Sequence, residues 1–153
     1  NLEQQGLKVV VMSSIAMQGV CDSFSRNEAE KYLSSGIICV FVGGTGNPFF
    51  TTDSAAALRA IEIGADILYK ATKVNGIYDK DPKKHDDAIR YDKISYSEVI
   101  EKQLKVMDTA AIALSMENKL PIVVFDFTKS NQLSTILDGN ETNGTLVYGD
   151  NNA

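Results

Sequence analysis

The chain has 153 residues, 44% of them apolar and 23% charged, which is the composition of an ordinary globular domain and excludes a disordered chain. No run approaches the ~20 apolar residues that span a bilayer, and the first residues do not resemble a secretory signal, so we expect a cytoplasmic protein with no membrane partner. A net charge of −5 without a basic stripe argues against a nucleic-acid partner.

Side chains that could bind a metal or form a disulfide are few. Cys21 and Cys39 have neither the number nor the spacing of a disulfide framework or a zinc site, so we predict two free thiols. His85 lies in the charged string KKHDDA with no second ligand nearby in the sequence. The sequence therefore predicts no metal site made by the chain alone.

Short apolar runs alternate along the chain with longer helical patterns. This alternation is typical of an α/β protein in which helices cover both faces of a mostly parallel sheet. Neither an internal repeat nor an interdomain linker is visible, so we expect one domain or part of one. The predicted strands cover residues 8–12, 37–42, 67–71, 122–127 and 145–148.

Helix start and stop signals lie between these strands. Ser25 and Glu28 have the spacing of a capping box, and Gly36 ends the helix that they begin. Asp108 is a predicted N-cap, and the helix after it must end before Pro121. The predicted helices run from Ser25 to Ser34, from Thr52 and Asp53 to Gly64, from Ser95 with Glu98 as a second capping box, from Asp108 to Asn118, and from Asn131 to Leu137.

The segment VFVGGTGNPFFTTD, residues 40–53, joins a strand to a helix through three glycines. Such a turn is a natural anion site because backbone N–H groups and the helix dipole both face the ligand. Phe49 stands where the dinucleotide fingerprint needs its third glycine, and the Gly-Lys pair of a P-loop is absent. A structural turn with aromatic side chains filling a core gap stays an alternative.

Asp53 adds a condition to any phosphate site in this loop. The helix dipole stabilises a carboxylate in the first turn, which is a sufficient structural reason for it. A bound phosphate would be repelled by the same carboxylate unless a lysine or a divalent metal lay between them. A phosphate site here therefore requires a cation.

A second loop follows the third predicted strand, in DILYKATKVNGIYDKDP, residues 66–82. Tyr78 offers a flat face for a purine, Asp81 could accept hydrogen bonds from ribose or base, and Thr72 could bind phosphate. In parallel sheets, loops after the carboxyl ends of strands bind ligands, so two such loops suggest two ligands. The alternative is a turn at Asn75-Gly76 with a solvated charged tip.

Four strings carry a family resemblance: GTGNPFFTTDSAAALRAIEIGAD, KATKVNGIYDKDP, YSEVIEKQLKVMDTAAIAL and LPIVVFDF. Together they resemble bacterial uridylate (UMP) kinase of the amino acid kinase superfamily. The resemblance implies a three-layer α/β/α sandwich with a mostly parallel central sheet. It also implies Mg²⁺-dependent transfer of the ATP γ-phosphoryl group to UMP, giving UDP, by a homohexamer that GTP activates and UTP inhibits.

The resemblance assigns residues 43–53 to an acceptor-nucleoside loop and residues 70–82 to an ATP loop. Asp53 is similar to the superfamily's catalytic organiser, and Asp108 is a second catalytic candidate whose alternative is the helix cap. Asn75 departs from the family, which often has Asp there, but an amide supports the same turn. The implied UMP-binding residues are Thr45, Gly46, Asn47, Pro48, Phe49, Phe50, Thr51 and Thr52, and the implied ATP contacts are Thr72, Tyr78 and Asp81.

Two phosphate loops of the family, of the K-L-S-G-E and G-G-G-N types, are absent, and residues 1–5 read as a helix tail that Gly6 ends. We therefore expect residues 1–153 to be the C-terminal portion of a single amino acid kinase domain whose N-terminal part is missing. The missing loops would hold the chief phosphate-binding lysine, so we predict no appreciable kinase activity for this chain alone.

Two other functions stay open. One is a kinase of the same superfamily that acts on a small carboxylate such as acetylglutamate or aspartate. Asn47 and the Phe49-Phe50 pair argue against it, because a small anion would want cationic side chains there. The other is a non-catalytic nucleotide-binding protein, against which the retention of Asp53 and of the ATP-loop residues argues.

Overall fold

A computed structural model describes residues 1–129, 131–138 and 144–149, so the last residues of the predicted domain, 150–153, lie outside it. The chain forms two compact units, residues 1–64 and the residues from 65 onward. Each unit has a sheet of its own. No helix in the described ranges combines the length and the apolar character that crossing a membrane requires.

The first unit is built on a parallel three-stranded sheet. Its strand order is β2-β1-β3, and the register pairs Ser13 at the end of β1 with Val42 at the end of β3. The segments that follow these two strands therefore leave the sheet side by side. The strands are β1 (Val9–Ser13), β2 (Asp22–Ser23) and β3 (Ile38–Val42), and the helices are a 3-10 turn (Glu3–Gln5), α1 (Arg26–Ser34) and α2 (Thr52–Glu62).

The helix signals of the first unit are partly confirmed. Gly6 and Gly36 adopt left-handed conformations directly after their helices, as expected for C-terminal stops. The predicted capping box of α1 is wrong: Ser25 is the N-cap, but its side chain makes no cap bond within the described chain, and Glu28 pairs with Lys31 at 2.7 Å instead. An acidic side chain at this position thus bonds a lysine on its own helix face rather than the backbone.

The second unit has a mixed four-stranded sheet in the order β4-β8-β9-β7, beside a short hairpin of β5 and β6. Strand β4 is parallel to β8, β7 is parallel to β9, and β9 is antiparallel to β8. The strands are β4 (Leu68–Thr72), β5 (Ile77–Tyr78), β6 (Arg90–Tyr91), β7 (Lys93–Ser95), β8 (Ile122–Asp126) and β9 (Gly144–Tyr148), and the helices are α3 (Tyr96–Glu101), α4 (Thr109–Glu117) and α5 (Gln132–Leu137).

A buried apolar cluster holds the second unit together. Tyr96 is fully buried at its centre; its hydroxyl donates to the Leu120 carbonyl, and burial raises the pKa of this phenol to about 12. The capping box of Ser95 and Glu98 is present at the start of α3, as predicted. The other buried members of the cluster are Ile77, Ile94, Val99, Ile112, Ile122, Val124 and Val147.

Candidate functional site

The glycine-rich loop after β3 lies directly on the residues that follow β1. A Cβ at Gly43 would be 2.9 Å from Oγ of Ser13, and one at Gly46 would be 3.1 Å from the carbonyl oxygen of Ser14. Both glycines also have positive φ, +77° in each case. A side chain at Gly43 would require Ser13 to shift, and one at Gly46 would crowd the Ser14 backbone. Close contact and positive φ together favour glycine where the loop crosses Ser13 and Ser14.

The loop is ordered by bonds between its own residues. The backbone N–H of Gly46 donates to the Gly43 carbonyl at 3.2 Å, which closes a turn. The Thr45 hydroxyl oxygen accepts from the Asn47 N–H at 3.1 Å, and the Asn47 amide donates to the Thr45 carbonyl at 3.3 Å. The side chains of Thr45 and Asn47, both expected to contact a nucleoside, are therefore each held by the backbone of the other residue.

A cavity of about 390 Å³ opens inside this loop, and it contains seven of the eight predicted UMP-binding residues. Ile15, just after β1, also lines it and was not predicted. The end of β1 lies beside the end of β3 in a parallel sheet, so the strand-end rule could have indicated Ile15. The lining residues are Ile15, Gly43, Gly44, Thr45, Gly46, Asn47, Pro48, Phe50, Thr51 and Thr52.

Phe49 is the predicted UMP-binding residue that does not line this cavity. It has a positive φ of 69° and is fully exposed, and Phe50 is 57% exposed. These aromatic side chains do not fill a core gap, so that alternative is wrong. Left-handed backbone is strained for a bulky residue, and such strain concentrates at binding loops.

The cavity reaches the N-terminus of α2. Thr51, not Thr52, is the N-cap: its hydroxyl oxygen accepts from the N–H groups of Asp53 at 3.1 Å and Ser54 at 3.3 Å. Thr52, the first helical residue, lines the cavity, while the half-buried Asp53 lies in the first turn and is not among the lining residues that the structure describes. A helix N-terminus of this length favours an anion.

The second unit has a cavity of about 440 Å³ with two walls. Thr72, Tyr78 and Asp81 all lie in the first wall, so the three predicted ATP contacts share one cavity. The second wall, Lys102–Val106, was not predicted, because it follows the short helix α3 and has no motif of its own. The lining residues are Thr72, Val74, Gly76, Ile77, Tyr78, Asp79, Lys80, Asp81, Pro82, Lys102, Gln103, Leu104, Lys105, Val106 and Val124.

The turn at Asn75-Gly76 is fixed from below by β9. A Cβ at Gly76 would be 2.4 Å from Oγ1 of the buried Thr145. That hydroxyl accepts from the Ile77 N–H at 2.8 Å and donates to the Tyr91 carbonyl at 2.5 Å. The Thr145 side chain thus bonds both strands of the β5–β6 hairpin to the sheet. A turn that only carried a solvated tip would not need these bonds.

The predicted ATP contacts already have local partners. The Thr72 hydroxyl donates to the Val74 carbonyl at 2.7 Å and accepts from the Val74 N–H at 3.0 Å. Asp81 accepts from the Lys83 N–H at 3.0 Å. These bonds shape the wall of the cavity and leave the Tyr78 ring, which is half-buried, as its aromatic surface.

Positive charge in the second cavity comes from lysines on both walls. Lys80 is 2.5 Å from Asp87, and Lys102 is 3.0 Å from Glu98 and lies over the Tyr91 ring. The bond from Lys102 is the main reason that the pKa of Glu98 lies below its usual range. Long cationic side chains at the rim of a pocket suit a ligand that carries phosphates.

Asp108 is the N-cap of α4. Its Oδ1 accepts from the Ala111 N–H at 3.0 Å, and the half-buried residue lies two positions after Val106, the last residue of the second wall. The structural role proposed from the sequence is therefore present.

A metal ion would need ligands besides the side chains that the structure describes. Within residues 1–129, 131–138 and 144–149, no group of three His, Cys, Asp or Glu side chains could hold an ion. Mg²⁺ in kinases is commonly bound by one or two carboxylates together with substrate phosphates. A single carboxylate such as Asp53 fits a metal ion that arrives with the nucleotide. It does not fit a metal ion that stays bound without nucleotide.

Comparisons with known proteins identify the relatives of this chain. Residues 1–126 match the model of the Amino acid kinase family. Uridylate kinase of Xanthomonas campestris is 57% identical over 148 residues, and that of Psychrobacter cryohalolentis is 50% identical over 147. These stretches cover 97% and 96% of this chain, but the chain spans only 61% of the length of either relative.

Solved structures agree as well. UMP kinase from Ureaplasma parvum superimposes with a TM-score of 0.92 at 34% identity, covering 96% of this chain and 63% of that one. UMP kinase from Bacillus anthracis gives the same TM-score and identity, covering 97% and 61%. The predicted α/β fold with mostly parallel strands is confirmed, and the chain belongs to the amino acid kinase family.

Proposed function

We propose that the protein is a UMP kinase, which transfers the γ-phosphoryl group of ATP to UMP and gives UDP. The observation that carries the proposal is the loop of residues 43–52, which encloses a cavity that ends at the N-terminus of α2. Its shape and polarity suit a nucleoside monophosphate. The similarity to proteins named uridylate kinase supports the same substrate.

The acceptor cavity favours a nucleoside over a small acid. Among the described residues that line it, none is Lys or Arg, so a small dicarboxylate would find no cationic partner. Asn47 and Thr45 offer amide and hydroxyl groups for a base or ribose, and Ile15 and Phe50 offer apolar surface. The phosphate of UMP is assigned to the end of α2, at Thr51 and Thr52.

The cavity of the second unit is proposed to bind ATP. Its volume of about 440 Å³ lies within the range of small-molecule pockets, roughly 300–1,000 Å³. Tyr78 gives a flat surface for the purine, and Lys80, Lys102 and Lys105 give positive charge for phosphates. Thr72 and Asp81 complete the wall expected from the family resemblance.

Asp53 is proposed as the catalytic organiser, with Asp108 as a second candidate. Phosphoryl transfer needs positioning and charge neutralisation more than a covalent partner, so a carboxylate that holds cations near the acceptor phosphate suits the chemistry. Mg²⁺ bound with ATP would neutralise charge on the phosphates. Asp53 is the last residue of the acceptor loop and lies in the first turn of α2.

A substrate comparison on the complete protein tests this function. We expect UMP to raise the melting temperature and to support ATP-dependent turnover in an ADP-release assay, while acetylglutamate and aspartate do neither. Turnover with a carboxylate and none with UMP would replace the proposed reaction. Nucleotide binding without any turnover would favour the non-catalytic alternative.

Further properties are proposed from the resemblance alone. They are a cytoplasmic homohexamer, activation by GTP and inhibition by UTP, which mass measurement in solution and effector titration would test. The absence of appreciable activity in the 153-residue chain by itself also stays a prediction. UMP-dependent turnover by that chain would refute it.

A further inference from the structure

Arg59 of α2 is a buried cation with partners on three sides. Its side chain is 10% exposed, and its guanidinium carbon lies 3.8 Å from the centre of the Phe24 ring. Nη1 pairs with Glu62 one turn further along the helix, and Nη2 donates to Oγ of Ser14 at 2.8 Å. Removing a charge from water is costly, so a buried guanidinium needs an ion pair and hydrogen bonds such as these to remain charged.

Ser14 connects Arg59 to the glycine loop through hydrogen bonds. Its hydroxyl donates to the Gly44 carbonyl at 2.6 Å while its oxygen accepts from Arg59. A hydroxyl that accepts from a cation becomes a stronger donor, because hydrogen bonds in a chain polarise one another. Ser14 thus links Arg59, 45 residues along the chain, to the backbone of the acceptor loop.

The linked carbonyl lies at a critical place in the loop. Gly44 stands between Gly43 and Gly46, the two glycines whose Cβ positions would crowd Ser13 and Ser14 and whose φ is positive. The backbone N–H of Ser14 also donates to the Val42 carbonyl at 3.0 Å. Ser14 therefore holds the loop at its start through its backbone and at Gly44 through its side chain.

We propose that Arg59 is a positioning residue for the acceptor loop and acts through the hydroxyl of Ser14. The inference deepens the proposed function, because the loop that it fixes is the one assigned to UMP. Neither Arg59 nor Ser14 lines the cavity, so both act on the substrate only through the loop backbone. Arg59 fits this task because its planar fork can bond Ser14 and Glu62 together while stacking on Phe24, which a lysine cannot do.

Two variants of the complete protein test the proposal. Ser14→Ala removes the link and leaves the charge of Arg59, and Arg59→Lys keeps the charge without the fork. A single hydrogen bond of ordinary strength corresponds to about a three- to tenfold effect, so we expect KM for UMP to rise by about that factor in each. KM for ATP should stay unchanged, and the double variant should be no worse than Arg59→Lys alone, because both changes break one link.

Ser35→Ala is the matched control. The Ser35 hydroxyl, like that of Ser14, donates to a backbone carbonyl, that of Lys31 at 2.8 Å, but it lies at the end of α1. We expect it to leave KM for UMP unchanged. If Ser14→Ala lowers the melting temperature but leaves KM for UMP equal to that of Ser35→Ala, the role is structural and the proposal falls.

A measurement without substrate separates this inference from the proposed function. Hydrogen exchange of peptides that cover residues 43–50 should be several-fold faster in Ser14→Ala and Arg59→Lys than in the wild type and in Ser35→Ala. Unchanged exchange in both variants would overturn the positioning role. If the wild type does not phosphorylate UMP at all, the proposed function fails, and faster loop exchange would still support the positioning role.

Discussion

The hydroxyl of Tyr78 donates a 2.5 Å hydrogen bond to Oδ1 of Asn75 across the turn of the ATP loop. Tyr78 lines the cavity described in the second unit, and the carbonyl of Asn75 accepts from Nη1 of Arg90 at 3.3 Å. The bond fixes the direction of the phenol ring. It also gives the amide at Asn75, where the family often has Asp, a role beyond the shape of the turn.

Loss of this bond should weaken ATP binding. We expect Tyr78→Phe and Asn75→Ala each to raise KM for ATP about two- to tenfold in the complete protein, the range of one hydrogen bond, while KM for UMP stays unchanged. Asn75→Asp retains an acceptor and should be close to the wild type. Tyr32→Phe, on α1 of the first unit, is the control. Equal KM values for ATP in Tyr78→Phe and Tyr32→Phe would show that the bond between Tyr78 and Asn75 does not contribute to ATP binding.

Gly76 should be intolerant of any side chain. Its Cβ would lie 2.4 Å from Oγ1 of Thr145 and 2.9 Å from Cδ of Arg90, and its φ is +143°. Overpacking of this kind costs about 1–3 kcal/mol, so Gly76→Ala should lower the free energy of unfolding by that amount in urea titrations. Gly149→Ala is the control, since no described atom lies within 4 Å of its Cβ, and it should be nearly neutral. Similar losses in both variants would contradict the clash.

Asp53 should matter for turnover more than for folding. Asp53→Asn removes one charge from the first turn of α2, which costs about 0.3–1 kcal/mol of stability. The N-cap bonds come from Thr51 and stay in place. In the complete enzyme we expect kcat to fall by about a hundredfold or more, with UMP binding nearly intact by calorimetry. Near-normal turnover would exclude Asp53 from the mechanism.

Asp108 allows the helix cap to be separated from catalysis. Asn caps helices as well as Asp does, whereas Ala does not, so Asp108→Asn should keep the stability of the wild type and Asp108→Ala should lose about 0.5–2 kcal/mol. If the carboxylate also serves the reaction, kcat falls in both variants. Normal kcat in Asp108→Asn, measured beside its melting temperature, would leave Asp108 as a helix cap only.

The sequence predicted the long elements of the fold because their signals are local. All five predicted strands and five predicted helices occur, with ends shifted by one or two residues where they differ. The strands of two or three residues were missed, since periodicity cannot be read over so short a run. The capping box at Ser25 was wrong for a related reason: spacing shows which bonds can form, but Lys31 competes for Glu28.

Prediction of the cavity-lining residues was likewise limited to local sequence signals. Loop residues such as Thr45, Asn47 and Tyr78 were predicted because their motifs are continuous in the sequence. Ile15 and the Lys102–Val106 wall reach the cavities from other elements, and only the strand register or the folded chain places them there. Arg59 gave no signal at all, because an arginine on an amphipathic helix is ordinarily a solvated side chain.

Protonation of Asp126 should make the second unit less stable in acid. This carboxylate is 7% exposed at the end of β8, in register with Thr72, and its Oδ1 accepts from the Thr128 hydroxyl at 2.6 Å and N–H at 2.9 Å. These bonds favour the charged form and hold the pKa of Asp126 below its ordinary value. The stabilisation is therefore complete above the unfolded-state pKa of about 3.9 and is lost as the pH falls through the lower folded-state pKa.

Melting temperatures between pH 2 and pH 8 test this sign. We expect Asp126→Asn to melt below the wild type by a constant margin from about pH 5 upward. The margin should shrink below about pH 4, as the pH falls through the unfolded-state pKa and then through the lower folded-state pKa. Asp86→Asn, an exposed carboxylate on the charged loop, makes the same change in net charge and is the control. If the margin for Asp126→Asn widens in acid, or equals that of the control at every pH, the Thr128 bonds do not favour the charged form. The carboxylate beside Thr72 would then have no stabilising role.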